Sequence, residues 1–110
     1  MDGTKAKKRM AEQAQEDVRQ WAEQAARMGI ALKLVDQDRG WARTYRVWLE
    51  ETLWGGIDVI REWGRLGTIP HHPRRLVHHC TDEAAARAIL HTVLLDRWRR
   101  GYTLHTEEDS

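Results

Sequence analysis

Apolar positions recur at two different periods along the chain, and the change of period divides it. Met10, Ala14, Val18, Trp21, Ala25 and Met28 follow one another at spacings of four, four, three, four and three, which marks one face of a helix. A helix over residues 4–28 is therefore expected, stopped by Gly29. Its stripe is narrow and rich in alanine, so the helix either lies on the body of the domain or mediates self-association. From residue 30 the period becomes two. Ile30, Leu32 and Leu34 begin a short strand, and Asp36-Gln37-Asp38-Arg39-Gly40 reads as a polar turn. Residues 43–52 alternate, with Tyr45, Val47 and Leu49 on one face and Arg46, Trp48 and Glu50 on the other. Gly55-Gly56 closes a hairpin onto a partner strand over residues 57–66.

Pro70 and Pro73 bracket His71 and His72 in a stiff loop before a last strand over residues 74–80. Thr81 is placed to cap a helix over about residues 82–100, with Asp82 and Glu83 in its first turn. Ala86, Ile89, Leu90, Val93, Leu94 and Arg97 form its buried face, and Gly101 stops it. Arg97, Arg99 and Arg100 also complement the dipole at its end. The predicted fold class is α+β: an antiparallel meander of four or five strands packed by one C-terminal helix, plus an extra N-terminal helix. The expected organisation is a helix over residues 1–29, a domain over 30–105 and a disordered acidic tail over 106–110.

Length and charge narrow the functions. At 110 residues the chain has room for one modest core. The formal net charge is only +1, so attraction to a polyanion must come from how charge is distributed. Of 18 basic residues only four are Lys, and three of those fall in the first eight positions. The body is thus basic through guanidinium, the group suited to stacking and bidentate phosphate contacts. Six Trp beside two Tyr and no Phe imply that some indoles lie at the surface, because a small core seldom needs six. The single cysteine, Cys80, excludes an internal disulfide and fits a reducing compartment. With no apolar run of membrane-crossing length, the expectation is a cytoplasmic protein, nucleoid-associated if it binds DNA.

Chemistry is absent where an enzyme would need it. His78 and Cys80 share a strand face while His79 lies opposite, and no second pair stands at zinc-ligand spacing, so neither a metal nor another cofactor is expected. No phosphate-binding glycine loop, nucleophile elbow or paired carboxylates occur, and no catalytic residue is assigned. What stands out is Arg61-Glu62-Trp63-Gly64-Arg65-Leu66-Gly67-Thr68. In a strand Arg61, Trp63 and Arg65 point one way and Gly64 the other. Such a face offers a π surface and two guanidinium forks to a nucleotide; equally, Trp63 serves as a cross-strand packing residue between solvated arginines.

Taken in order, the aromatic strand, the Gly55-Gly56 turn, Trp63-Gly64-Arg65-Leu66-Gly67-Thr68, Asp82-Glu83-Ala84-Ala85 and Arg99-Arg100-Gly101-Tyr102 resemble a WGR domain over residues 30–105. The likeness is to the short bacterial proteins made of little besides this module, which in poly(ADP-ribose) polymerases helps to detect DNA breaks. It implies that Trp63 packs on a sugar or base at a strand end, that Arg65 contacts the backbone nearby, and that Tyr102 packs the helix end onto the sheet. The loop Ile69-Pro70-His71-His72-Pro73 departs from the glycine-rich loop common in that family, and no polymerase domain is present. The expected function is a non-catalytic nucleic-acid-binding module for DNA ends, nicks or strand termini, with RNA as another candidate ligand. Its surface would comprise Trp63, Arg65, Arg61, Arg46 and Trp48, with Arg74 and Arg75 on the adjoining strand. The alternative is a protein-interaction module, monomeric or homodimeric, using the N-terminal helix or exposed indoles as anchors.

Overall fold

The computed structural model describes residues 3–66 and 73–106; the expectations for the His71-His72 loop and for the acidic end beyond Thr106 lie outside them. The elements are α1 (Gly3–Met28), β1 (Ile30–Asp36), β2 (Trp41–Glu51), β3 (Ile57–Arg65), β4 (Arg74–Cys80), α2 (Glu83–Arg99) and β5 (Thr103–Leu104). The expected α+β class is the one observed. All five strands pair antiparallel in the order β4-β3-β2-β1-β5. The first four form a meander. The fifth, which periodicity could not reveal in two residues, returns beside β1 through Leu32↔Leu104 and a bond from His105 N–H to Ala31 C=O.

Local chemistry sets the boundaries. At Gly29 φ is +87°, and a side chain there would also meet Trp48 Cβ at 3.2 Å, so glycine is required both by conformation and by close approach. The β2–β3 connection is braced at its base. Thr52 N–H donates to Gly56 C=O, Thr52 Oγ1 accepts from Gly56 N–H at 2.9 Å, and Gly55 takes the left-handed conformation that lets the hairpin reverse. The cap of α2 differs from expectation: it is Asp82, not Thr81, whose carboxylate accepts from Ala85 N–H at 2.8 Å. A carboxylate in that position bonds the orphan amide and complements the dipole together.

Both helices cover the same sheet face, α1 over β1 and β2, α2 over β3 and β4. Tyr45, Val47, Leu90 and Leu94 are fully buried there, with Leu49, Ile89 and Val93 partly buried around them. From α1 the core receives Ala14, Val18, Trp21 and Ala25, whereas Met10 and Met28 at the ends of the stripe are exposed. The helices are tied by Trp98 Nε1–H donating to Asp17 at 2.8 Å and by Arg87 bridging Glu83 and Glu23. Among the described residues, the opposite sheet face carries no helix. Its centre is Ile60, buried between its register partners Trp48 and Val77.

Candidate nucleic-acid interface

Register decides which residues meet. Tyr45 pairs with Trp63, Val47 with Arg61, and Arg43 with Arg65, while Trp63 pairs on its other side with Arg74 and Arg61 with Leu76. Residues directly opposite in antiparallel strands share a face, so Arg61, Trp63, Arg65 and Arg74 all lie on the helix-covered side. Arg46 pairs with Glu62, Trp48 with Ile60, and Glu62 with Arg75. These belong to the bare side. The seven residues expected to form one surface therefore fall into two sets, back to back across the sheet.

On the helix side Trp63 is half-buried, its ring 6.5 Å from that of Tyr45 and inclined 26°. Arg61 Nε–H donates to Tyr45 Oη at 2.8 Å, and its guanidinium lies 5.5 Å from the Trp63 ring. Its Nη1 also approaches His78 Nε2 at 3.4 Å. A guanidinium can only donate, so that contact holds His78 as the neutral tautomer with its proton on Nδ1. Burial, and then the charge of Arg61, hold the imidazole below its usual pKa. Arg97, read from sequence as part of the apolar stripe of α2, reaches over Tyr45 with its guanidinium 4.3 Å from the ring and 5.4 Å from that of Tyr102. Its Nε is buried without a hydrogen-bond partner. An arginine amid Leu94 and Val93 on an apolar face was the available signal for this role. Tyr102, buried edge-on against Tyr45, packs the helix end onto the sheet as the resemblance implied.

Beyond the helices the same face continues into Arg43, Arg65 and Arg74, all exposed. Arg43 stacks 4.2 Å over Trp41, a pair that pattern reading missed because the strand was expected to begin at residue 43, leaving Trp41 between it and the turn, whereas β2 begins at Trp41. None of Arg43, Arg61, Arg74 and Arg97 has a carboxylate within 4.0 Å among the described residues. The bare side is partly balanced: Arg75 has a carboxylate partner there, whereas Arg46 has none within 4.0 Å among the described residues. Arg75 is clamped to Glu62 at 2.8 Å, Arg75 and Arg46 flank the Trp48 ring at 5.7 and 5.8 Å, and the Trp48 indole N–H donates to Glu50. Charges already paired in this way have less to offer a phosphate. His78 and Cys80 share the helix side while His79 bonds Asp58 on the other; among the described residues no three metal-ligating side chains converge. No helix among them is long and apolar enough to cross a membrane.

The chain is 35% identical over 73 residues to "Uncharacterized protein y4dW" of Sinorhizobium fredii (strain NBRC 101917 / NGR234), a match covering 66% of this chain and 34% of that protein. The chain thus spans about a third of the length of that relative. No solved structure matches it significantly. The WGR domain family, a binding module known for nucleic-acid contacts in the poly(ADP-ribose) polymerase setting, matches residues 28–109. With its Trp63-Gly64-Arg65 strand stacked on Tyr45 and closed by Tyr102, the chain belongs to the WGR domain family.

Proposed function

We propose that this chain is a non-catalytic nucleic-acid-binding module that engages DNA ends, nicks or strand termini through the helix-side face around Trp63. The observation that carries the reading is the cluster of guanidiniums around stacked aromatic rings, four of them without a carboxylate neighbour among the described residues. Unbalanced cations beside a π surface are what phosphate and an unstacked base or sugar require. Arg65 and Arg74 take the backbone, Trp63 takes the terminal sugar or base, and Arg61 and Arg97 hold the aromatic platform in place. Arg46, Trp48 and Arg75 contribute less, through the far side of the sheet. Such a protein works in the cytoplasm, at the nucleoid.

The test is binding of labelled blunt, nicked and closed circular DNA over a range of salt. Removing one phosphate contact lowers the slope of log affinity against log salt by roughly one unit, and this is expected for Arg65→Ala and Arg74→Ala. Arg75→Ala should change it less, because Glu62 already neutralises that charge. Loss of the Trp63 ring should cost about 1–3 kcal/mol of stacking without altering the slope. Arg65→Ala and Arg74→Ala variants that bind every DNA form as the parent does, at every salt, would overturn the reading. A protein-interaction role is favoured at the other end of the molecule, where a different tryptophan is presented.

A further inference from the structure

The turn joining β2 to β3 carries Leu53 and Trp54 at 97% and 93% exposure, two adjacent large apolar side chains with almost nothing against them. Exposure on this scale at a flexible loop would be unremarkable, but this turn is bonded at its base by the Thr52 backbone and hydroxyl. Gly56 is packed so closely on β4 that a Cβ there would lie 2.7 Å from the Cys80 carbonyl oxygen. The backbone that carries the two side chains is therefore held in place, which lowers the ordering cost of using them as anchors. A groove lined by Trp54, Gly56, His79, Cys80 and Thr81 runs beside them.

Charge indicates the occupant. Glu50, Glu51, Asp58, Asp82 and Glu83 surround this end of the molecule, and residues 50–60 and 76–86 contain no Lys or Arg. A polyanion is repelled here; a basic apolar surface is attracted. The same chain displays one. Residues 3–13 of α1 are all exposed, about three helical turns standing clear of the sheet. They carry Lys5, Lys7, Lys8 and Arg9 beside Ala6 and Met10, which continue the apolar stripe of Ala14 and Val18 past the point where the core ends. Pairing two free α1 ends would bring like charges together, as would pairing two hairpin tips. Tip against α1 joins opposite charges, and unlike the arginine face around Arg43 and Arg74 the α1 end also offers an exposed apolar strip, Ala6 and Met10, to receive the two apolar side chains.

We propose that the Leu53-Trp54 tip docks on the first turns of α1 of a second copy of this chain, with Trp54 against Ala6 and Met10 and with Glu50 and Glu51 facing Lys5 and Lys8. The α1–α2 ties, Asp17 to Trp98 and Glu23 to Arg87, show that α1 runs antiparallel to α2 with Asp17 beside the end of α2, so its first turns project past that end, away from the tip. Two copies lying antiparallel then satisfy both contacts at once, which closes a two-fold dimer rather than an open chain. This inference is independent of the nucleic-acid reading, and it is tested without nucleic acid.

Sedimentation velocity of the full chain over a concentration series should show a monomer–dimer equilibrium that weakens as salt is raised. Leu53→Ser with Trp54→Ser, both at exposed positions, should leave the melting transition intact and weaken dimerisation by roughly tenfold or more, as expected for hot-spot anchors. Lys5→Glu with Lys8→Glu should do the same, and adding Glu50→Lys with Glu51→Lys to that variant should restore the dimer. A monomer at every concentration, or a dimer indifferent to the serine pair, would overturn the proposal. A dimer lost with the serines yet indifferent to charge reversal would show that the tip has another seat, and would remove α1 as the occupant.

Discussion

The chain contains Trp-Gly twice in succession along one hairpin, at Trp54-Gly55 and Trp63-Gly64, and the two pairs have opposite fates. Trp63 stands in β3, half-buried on Tyr45 within a field of arginine; Trp54 stands at the hairpin tip, exposed within a field of carboxylate. The glycines differ in the same way. Gly55 has φ +87°, whereas Gly64 lies in an ordinary strand conformation, and a Cβ on it would meet nothing nearer than Pro73 Cα at 4.0 Å. Composition therefore says little about what a tryptophan does. Its register partner, or the lack of one, determines whether the ring is part of the fold or an anchor held out from it.

That contrast can be broken most forcefully at its supported end. Tyr45→Ala removes the fully buried ring on which Trp63, Arg61, Arg97 and Tyr102 converge, and urea denaturation should show a loss of about 3–5 kcal/mol. Trp63→Ala, at a half-buried position, should lose roughly half as much. Trp54→Ala should stay within about 0.5 kcal/mol of the parent. A Trp54 variant as unstable as the Trp63 variant would mean that the tip packs on something within its own chain.

The glycines sharpen the comparison at smaller scale. Gly55→Ala forces a side chain into the left-handed region and should cost about 1 kcal/mol or somewhat more. Gly64→Ala meets no such conflict, and it should be neutral or stabilising by up to about 1 kcal/mol through the unfolded chain. Melting temperatures measured in parallel would separate the two signs.

The smallest effect is in pH. His78 has its pKa lowered by burial and by Arg61, so below its ordinary value of about 6.5 the unfolded chain binds a proton that the folded chain resists. Stability attributable to this site is therefore intact above that value and declines as the pH falls through it. Melting curves of the parent and of His78→Gln should diverge on going from neutral to mildly acidic buffer, the parent losing more. Parallel curves would show that the Arg61 contact does not discriminate between the protonation states of His78.

How far the sequence discloses this can be traced strand by strand. The alternation of Tyr45, Val47 and Leu49 was legible from its period of two, with Arg46 and Glu50 marking the opposite face, and both helices were legible from their stripes. Which side of the sheet each face of β3 takes was not, because Val59 and Ile60 are adjacent and both buried, while Arg61 occupies an inward position that binary patterning assigns to solvent. An arginine whose stem is covered and whose head bonds Tyr45 looks polar in sequence and structural in the fold. Without the register of β3, Arg46 and Trp48 could not be separated from Trp63 and Arg65, since a one-residue slip exchanges the faces. β5 was invisible for a plainer reason: two residues carry no period.

The distribution of charge along the 54 Å length of the molecule has a kinetic consequence. A net charge of +1 gives almost no pull on a distant polyanion, yet Arg43, Arg65, Arg74 and the lysines of α1 lie away from the tip while Glu50, Glu51, Asp58, Asp82 and Glu83 lie around it, so the two ends carry opposite local charge. At physiological ionic strength fields decay over about 8 Å, a fraction of that length. On the proposed reading, a single molecule approaching a polyanion arginine end first is attracted and one approaching tip first is repelled. For a single copy such an asymmetry selects orientation before any specific contact forms; in the antiparallel dimer the two asymmetries oppose each other and that selection is lost.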